Sequence, residues 1–214
     1  MSFDYLPDTN IYLKQRKDMF RVNTDTHLLG NFMLVKKNES VLDIGTNNGA
    51  LLLYASRYTD DLSGVDILKE AIELAAFNME YNGLNAKLYH MPIQDFNVGI
   101  YDVIVCNPPY FHTAKNGNKN ENHFLMAARH DHYLPLDELF KAYKRLLKDN
   151  GRIYMVHRAS YCMIINHYCN QYGFKITRMK IVYDENKDEA VSVLLEIRRG
   201  DIDIVKLERD EIIR

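Results

Sequence analysis

The chain has 214 residues, 47% of them hydrophobic and 26% charged, with a formal net charge of −2, which suits one globular domain with a substantial core. No apolar run reaches membrane-spanning length, the N-terminus lacks the basic-then-apolar layout of a signal peptide, and the three cysteines (Cys106, Cys162 and Cys169) have no CxxC spacing; together these argue against a membrane protein, a disulfide scaffold or a zinc site, and for a reducing cytoplasm. The total charge gives no pull toward nucleic acid, yet residues 141–180 carry nine Lys or Arg against one acid, Asp149, a face open to a polyanion or simply to solvent.

Residues 1–20 read as an irregular or short-strand lead-in whose second half is basic through Lys14, Arg16 and Lys17, with Arg21 just beyond it. Thr24 or Asp25 can cap a helix whose apolar positions are Leu28, Leu29, Phe32, Met33 and Leu34. Two roles are open to Asp25: that cap, or a place in a helix covering a ligand pocket. The first firm strand, 40–44, runs into Gly45-Thr46-Asn47-Asn48-Gly49 and a helix over 50–58. Gly45 and Gly49 relieve the steric limit where backbone turns sharply and approaches a ligand. Strand, glycine turn and helix make a nucleotide-type site. The dinucleotide GxGxxG and the Lys-Ser/Thr ending of a phosphate loop are both absent, which disfavours triphosphate hydrolysis. A second strand over 62–66 ends at Asp66, about twenty residues past the first glycine turn, the spacing of a carboxylate that accepts from two ribose hydroxyls. Capping the helix over 68–81 is its alternative role. Ala71, Leu74, Ala75 and Asn78 give that helix one packed face, and Asn82-Gly83 stops it. A third strand over 86–90 leads to the loop Pro92-Ile93-Gln94-Asp95.

The apolar strand over 102–106 ends abruptly in Asn107-Pro108-Pro109-Tyr110. Proline lacks the ladder donor, so the strand must stop there, and open α/β sheets bind ligands at that carboxyl edge. A stiffened backbone carbonyl, an amide and a tyrosine ring offer a planar amino group two acceptors and an aromatic face. Residues 111–122 are polar and aperiodic, a substrate-gripping lid or a surface loop. A helix over 122–130 carries Arg129 and His130, with His132 just after it, facing a phosphate or solvent. Another helix spans 135–147, and the strand over 151–157 delivers His157-Arg158 to the same edge. After a helix over 161–172, strands over 174–183 and 190–198 flank an acidic turn, and residues 200–214 read as a short strand and polar tail. The order predicts an α/β fold: a doubly wound, seven-stranded Rossmann-like sheet with an antiparallel C-terminal edge hairpin. The expected organisation is one domain over 1–214, with 1–39 as lead-in and covering helix.

These residues resemble the class I S-adenosylmethionine-dependent methyltransferases. Asn107-Pro108-Pro109-Tyr110 is similar to the branch that methylates planar amino nitrogens, adenine N6 and the glutamine amide. Gln15, Phe20-Arg21-Val22-Asn23-Thr24-Asp25, Leu28-Leu29, Val41-Leu42-Asp43-Ile44-Gly45-Thr46, Phe111, Ala128-Arg129-His130, His157-Arg158 and Glu189-Ala190 resemble the bacterial tRNA adenine-N6 methyltransferases acting just 3′ of the anticodon. The resemblance covers nearly the whole chain, with two departures. Asn47 stands where the family usually has a further glycine, and Pro92 stands near a usual acid that binds the cofactor's adenine amine. Asn tolerates a left-handed backbone; the missing acceptor must come from Gln94, Asp95 or backbone carbonyls.

The resemblance implies that Asp25, Asp43, Gly45, Thr46, Gly49, Asp66, Ile67, Ile93 and Asn107 line the S-adenosylmethionine site. Asp43 orients the cofactor's amino group and Asp66 holds its ribose. It further implies that the Asn107 side-chain oxygen and Pro108 carbonyl accept the two N–H bonds of adenine N6, that Tyr110 stacks on the base, and that Cys106 is a buried strand residue. Arg16, Arg21, Phe111, His112, Arg129, His130 and Arg158 would contact tRNA. No metal, membrane or obligate protein partner is implied, and a monomer is the default. A glutamine methyltransferase shares the tetrapeptide but should carry a separate N-terminal recognition domain; a guanine-N2 enzyme would suit Phe better than Tyr110. A non-catalytic RNA-binding protein would have no use for both Asn107 and Tyr110.

Overall fold

Alternation along the strands builds a sheet with two buried faces. The structure, a computed structural model, describes residues 2–108, 134–201 and 204–213. Its N-terminal strands β1 (Ser2–Tyr5) and β2 (Tyr12–Gln15) form a separate antiparallel pair. The main sheet takes β3 (Val41–Ile44), β4 (Leu62–Asp66), β5 (Lys87–His90), β6 (Tyr101–Cys106), β7 (Leu147–Arg158), β8 (Phe174–Asp184) and β9 (Ala190–Arg199) in the spatial order β8-β9-β7-β6-β3-β4-β5. These are the seven strands expected. β9 is antiparallel to both its neighbours, β7 and β8, so the reversed strand of the hairpin lies one place in from the edge. Two short strands, β10 (Lys206–Leu207) and β11 (Glu211–Ile213), pair parallel with β8 and extend that edge. The chain builds outward from β3 to β5, then returns to β6 on the other side of β3. The reversal point, where such sheets bind ligands, therefore lies between the carboxyl ends of β3 and β6.

The helices among the described residues are α1 (Thr24–Phe32), α2 (Ala50–Ala55), α3 (Lys69–Tyr81), α4 (Leu136–Leu146) and α5 (Cys162–Tyr172). Val41, Val103, Val105, Tyr154 and Val156 face a core shared with α1 and α2. Leu42, Ile44, Ile104, Cys106, Ile153 and Met155 face the opposite core, shared with α4 and α5. The period of two places Asp43 on the α1–α2 face, a carboxylate in an apolar row. Gly173 ends α5 in the left-handed region at φ 78, as its position after Tyr172 predicts.

The cap of α1 differs from expectation. Asn23, not Thr24 or Asp25, is the N-cap: its backbone is extended and its Oδ1 accepts from Thr26 N at 3.0 Å, whereas Thr24 and Asp25 already lie in the first turn. At the other end of α1, Arg178 donates to Phe32 O and lies over the Phe32 ring, while Arg152 Nε donates to Leu34 O at 3.0 Å. Cations on the last carbonyls of a helix complete donors that the helix itself lacks. Arg152 is in turn clamped by Glu39, at 2.9 Å through Nη1 and 2.5 Å through Nη2. The C-terminal end of α1 is thus fixed against the sheet.

The lead-in is fixed as well. Gln15, 5% exposed, accepts from Val22 N through Oε1 at 2.8 Å and donates to Asp4 Oδ2 through Nε2 at 2.5 Å. Asn78 of α3 and Asn82, its C-cap, bond the outer edge of β2. Their oxygens accept from Lys14 N at 2.8 Å and Tyr12 N at 3.1 Å, and their amino groups donate to Lys14 O at 3.1 Å and Tyr12 O at 2.8 Å.

Candidate active site

Parallel pairing of β3 with β6 sets Asp43 beside Val105 and Ile44 beside Cys106, so the glycine turn and Asn107 emerge side by side. On the β3 side the turn has three residues in the left-handed region, Gly45 (φ 73), Asn47 (φ 47) and Gly49 (φ 79). A side chain at Gly45 would meet nothing within 4 Å, which marks the open side of the turn. Asn47 does take the conformation in which glycine is usual. Its backbone N donates to Asp66 Oδ2 at 2.9 Å and its Nδ2 to Phe20 O at 2.7 Å, which ties the turn to β4 and to the lead-in. Asp66 also accepts from Leu68 N at 2.9 Å, so it ties the turn to the chain leading into α3; the N-cap of that helix is Leu68, without a side-chain cap bond, so the capping role expected for Asp66 is not taken. Burial pushes its carboxyl up, against the pull of these backbone N–H groups.

Asp43 is 1% exposed, and its Oδ2 accepts from Thr46 Oγ1 at 2.8 Å. Its Oδ1 is buried with no hydrogen-bond partner among the described residues. Burial raises its pKa to about 7, with Asp66 adding to the rise and Thr46 opposing it. A buried acceptor at this place in the turn suits a ligand that brings a cationic donor. Ile67, 37% exposed, lies just beyond Asp66, whereas Ile93, 6% exposed, belongs to the core beneath. The Ile93 carbonyl accepts from Arg145 Nη2 at 2.8 Å, and Pro92 O accepts from Asp95 N at 3.1 Å. The side chains of Gln94 and Asp95, which follow, are exposed.

On the β6 side, Asn107 Nδ2 donates to Thr26 Oγ1 at 3.0 Å, and Thr26 Oγ1 donates to Asn23 Oδ1 at 2.9 Å. The first turn of α1 thereby holds the amide at the end of β6. Thr26 is 6% exposed, and no motif in the sequence marks it as a site residue. Its position three residues after an Asn cap was readable; its contact with Asn107 was not. Pro108 is buried, and Cys106 behind the motif is fully buried, with burial pushing its thiol up, so it is no nucleophile. Tyr110, Phe111, His112, Arg129 and His130 lie outside the described residues.

Further along the edge, β7 delivers His157 and Arg158. His157 is 4% exposed and its ring lies 4.7 Å from that of Tyr161. Its Nδ1 accepts from Arg158 N at 2.9 Å, which puts the ring proton on Nε2. Burial lowers its pKa to about 4, so it is neutral near pH 7. Asp25 Oδ1 accepts from Ser192 Oγ of β9 at 2.8 Å. That bond ties Asp25 to β9. Arg16 is paired with Asp18 at 2.6 Å and Arg21 with Asp4 at 3.2 Å. No group of three or more His, Cys, Asp or Glu among the described residues could hold a metal ion, and no described helix is long and apolar enough to cross a membrane.

A glycine turn after the first strand of the sheet, an acid ending the second and an amide ending the fourth, all at the strand reversal, define a Rossmann-like methyltransferase of class I. A family model described as the methyltransferase small domain matches residues 11–172. The chain is 30% identical over 209 residues to a tRNA1(Val) (adenine(37)-N6)-methyltransferase of Cytophaga hutchinsonii, covering 93% of this chain and 85% of that protein. It is 34% identical over 185 residues to a protein of the same name in Pedobacter heparinus, covering 81% and 76%. The crystal structure of a predicted O-methyltransferase from Agrobacterium tumefaciens superposes with a TM-score of 0.67 at 13% identity, covering 88% of this chain and 87% of that one. The chain belongs to the methyltransferase small-domain family, in the branch of the bacterial tRNA adenine-N6 methyltransferases.

Proposed function

We propose that this protein transfers a methyl group from S-adenosylmethionine to N6 of the adenosine immediately 3′ of the anticodon in a valine tRNA. The names of the two relatives support the substrate. The observation that carries the chemistry is the Asn107 amide, held by Thr26 at the end of β6 beside the glycine turn.

The residues of the β3–β4 half fit the cofactor. Asp43 Oδ1, buried without a partner, is the acceptor for its amino group; Gly45 and Thr46 bring backbone close; and Asp66, with Ile67 beyond it, meets the ribose. Bound S-adenosylmethionine supplies an activated methyl, so the protein contributes position and charge compensation. Adenine N6 is a poor nucleophile because its lone pair is delocalised into the ring. Asn107 Oδ1 and the Pro108 carbonyl accept its two N–H bonds and stabilise the positive charge that grows on nitrogen. Tyr110 gives the everted base an aromatic face. His157 is neutral at working pH and forms part of the wall; no strong base is needed at the amine before transfer. The RNA backbone lies across Arg158, with Arg16, Arg21, Phe111, His112, Arg129 and His130 completing its contacts; Arg152 and Arg178 of the 141–180 stretch are buried and committed within the fold, so that stretch is not one basic face. The unit is one catalytic domain, 1–214, acting as a monomer in the cytoplasm, a setting consistent with its three free cysteines.

Labelled S-adenosylmethionine and unmodified tRNA, followed by nucleoside mass spectrometry, test this reading. The expected product is N6-methyladenosine. Asn107→Ala should lower kcat by a factor on the order of 10²–10³ while cofactor binding persists. Methylguanosine as product, or full activity in Asn107→Ala, would overturn the assignment.

A further inference from the structure

A single backbone N–H at the start of α1 fixes the direction of the hydrogen bond between Thr26 and Asn107. Thr26 N can only donate, so the atom of Asn23 that receives it at 3.0 Å must be the amide oxygen. That oxygen accepts only, so the Thr26 hydroxyl, 2.9 Å away, must spend its one proton on it. The hydroxyl then faces Asn107, at 3.0 Å, with lone pairs. Asn107 must answer with its NH2, and its oxygen is thereby assigned to the other side of the amide. We propose that Asn23 and Thr26 are positioning residues for methyl transfer, and that the helix cap sets which way round the Asn107 amide stands. The inference rests on the functional reading above, in which Asn107 acts through its oxygen; an inverted amide would meet the substrate amino group with a donor.

The chain makes a distinction that a purely structural cap would not. Asp at position 23 is acceptor-only and preserves the polarity. Ser at position 23 remains a good N-cap, but its hydroxyl both donates and accepts, so the proton on Thr26 is released to turn toward Asn107. The same logic separates Thr26→Ser, which keeps the hydroxyl, from Thr26→Val, which keeps the shape and loses both bonds.

The test compares steady-state methylation of tRNA and thermal melting for these four variants. Asn23→Asp and Thr26→Ser should stay within about threefold of the wild-type kcat, whereas Asn23→Ser and Thr26→Val should fall by on the order of 10- to 100-fold. The KM values for tRNA and cofactor should stay close to wild type throughout, and Asn23→Ser should melt with the wild type. Wild-type kcat in Asn23→Ser, or an equal loss in Asn23→Asp and Asn23→Ser, would overturn the inference. A readout without turnover separates it from the functional reading: hydrogen exchange of the Asn107 side-chain NH2 should be slow in wild type and Asn23→Asp and fast in Asn23→Ser. If the wild type makes no N6-methyladenosine but this exchange pattern holds, the functional reading fails and the polarity relay stands; a flat exchange pattern sinks the relay by itself.

Discussion

The two halves of the sheet edge are built in different ways. The β3–β4 half is assembled largely from one stretch of chain: Thr46 reaches Asp43 three residues away, and Asn47 reaches Asp66 across 19. The β6–β9 half is assembled from distant parts: Asn107 meets Thr26 across 81 positions, and Ser192 meets Asp25 across 167. The first half is an arrangement that the local turn largely forms for itself. The second exists only once α1 has docked, and Arg152 and Arg178 on the carbonyls at its far end help keep it there. Disturbing the first half should therefore act on cofactor affinity, and disturbing the second on turnover.

The largest effect that would sharpen this contrast is at Asp43. Asp43→Asn keeps shape and a bond to Thr46 but loses the charge, and should weaken S-adenosylhomocysteine binding by on the order of 10- to 100-fold with kcat at saturating cofactor near wild type. A matching loss in kcat would erase the division of labour. Because the carboxyl sits at about 7, a bound ammonium should drive it to ionise and release a proton, visible near neutral pH as a dependence of calorimetric binding enthalpy on the buffer.

A smaller effect comes from the pH dependence of stability, where the halves pull oppositely. Asp43 is raised from 3.8 to about 7, so between those values the folded chain holds a proton that the unfolded chain has lost; its contribution is present below the lower value and is lost as pH rises. His157 is lowered from 6.5 to about 4, so in that window the unfolded chain takes a proton that the folded chain refuses, and stability is lost as pH falls. Urea unfolding from pH 4 to 7 should show a steeper acid loss in Asp43→Asn and a shallower one in His157→Gln. Parallel profiles would refute the opposition.

The smallest effect is at Asn47. Glycine accepts its φ of 47 without strain, so Asn47→Gly forfeits little beyond the bond to Phe20 O, about 1 kcal/mol or less. Asn47→Val should cost more, because a β-branched residue is strained there. Equal melting temperatures for the two would show that the left-handed conformation is not what matters.

What could be read from sequence follows the same division. The strand over 62–66 and the glycine turn carry local signals of periodicity and turn chemistry, and the structure places them as those signals predict. Asp66 had two readable roles, and the structure shows its carboxylate bonded to backbone N–H groups on both sides. Asp25 was legible as something acidic near the start of a helix, but its partner on β9 follows from tertiary packing. Thr26 carried no signal of its own, since a threonine in a first helical turn is ordinary until a strand end arrives beside it. Only the family resemblance put Ile93 at the pocket, and its side chain packs into the core. The N-cap fell at Asn23 rather than one or two residues later because adjacent Asn, Thr and Asp all qualify chemically, and only the extended backbone at Asn23 decides among them.

The bonds from Asn78 and Asn82 to β2 have a consequence for solubility. A two-stranded ribbon at a protein surface carries an outer row of unmet N–H and C=O groups, which invites a strand from another molecule. Here the amides of Asn78 in α3 and of its C-cap Asn82 imitate that missing strand: Asn82 gives one donor and one acceptor to Tyr12, and Asn78 does the same for Lys14, at the spacing of alternate residues. The outer edge of β2 is thereby closed to strand addition by α3 and its C-cap residue, and the lead-in is kept for this molecule alone.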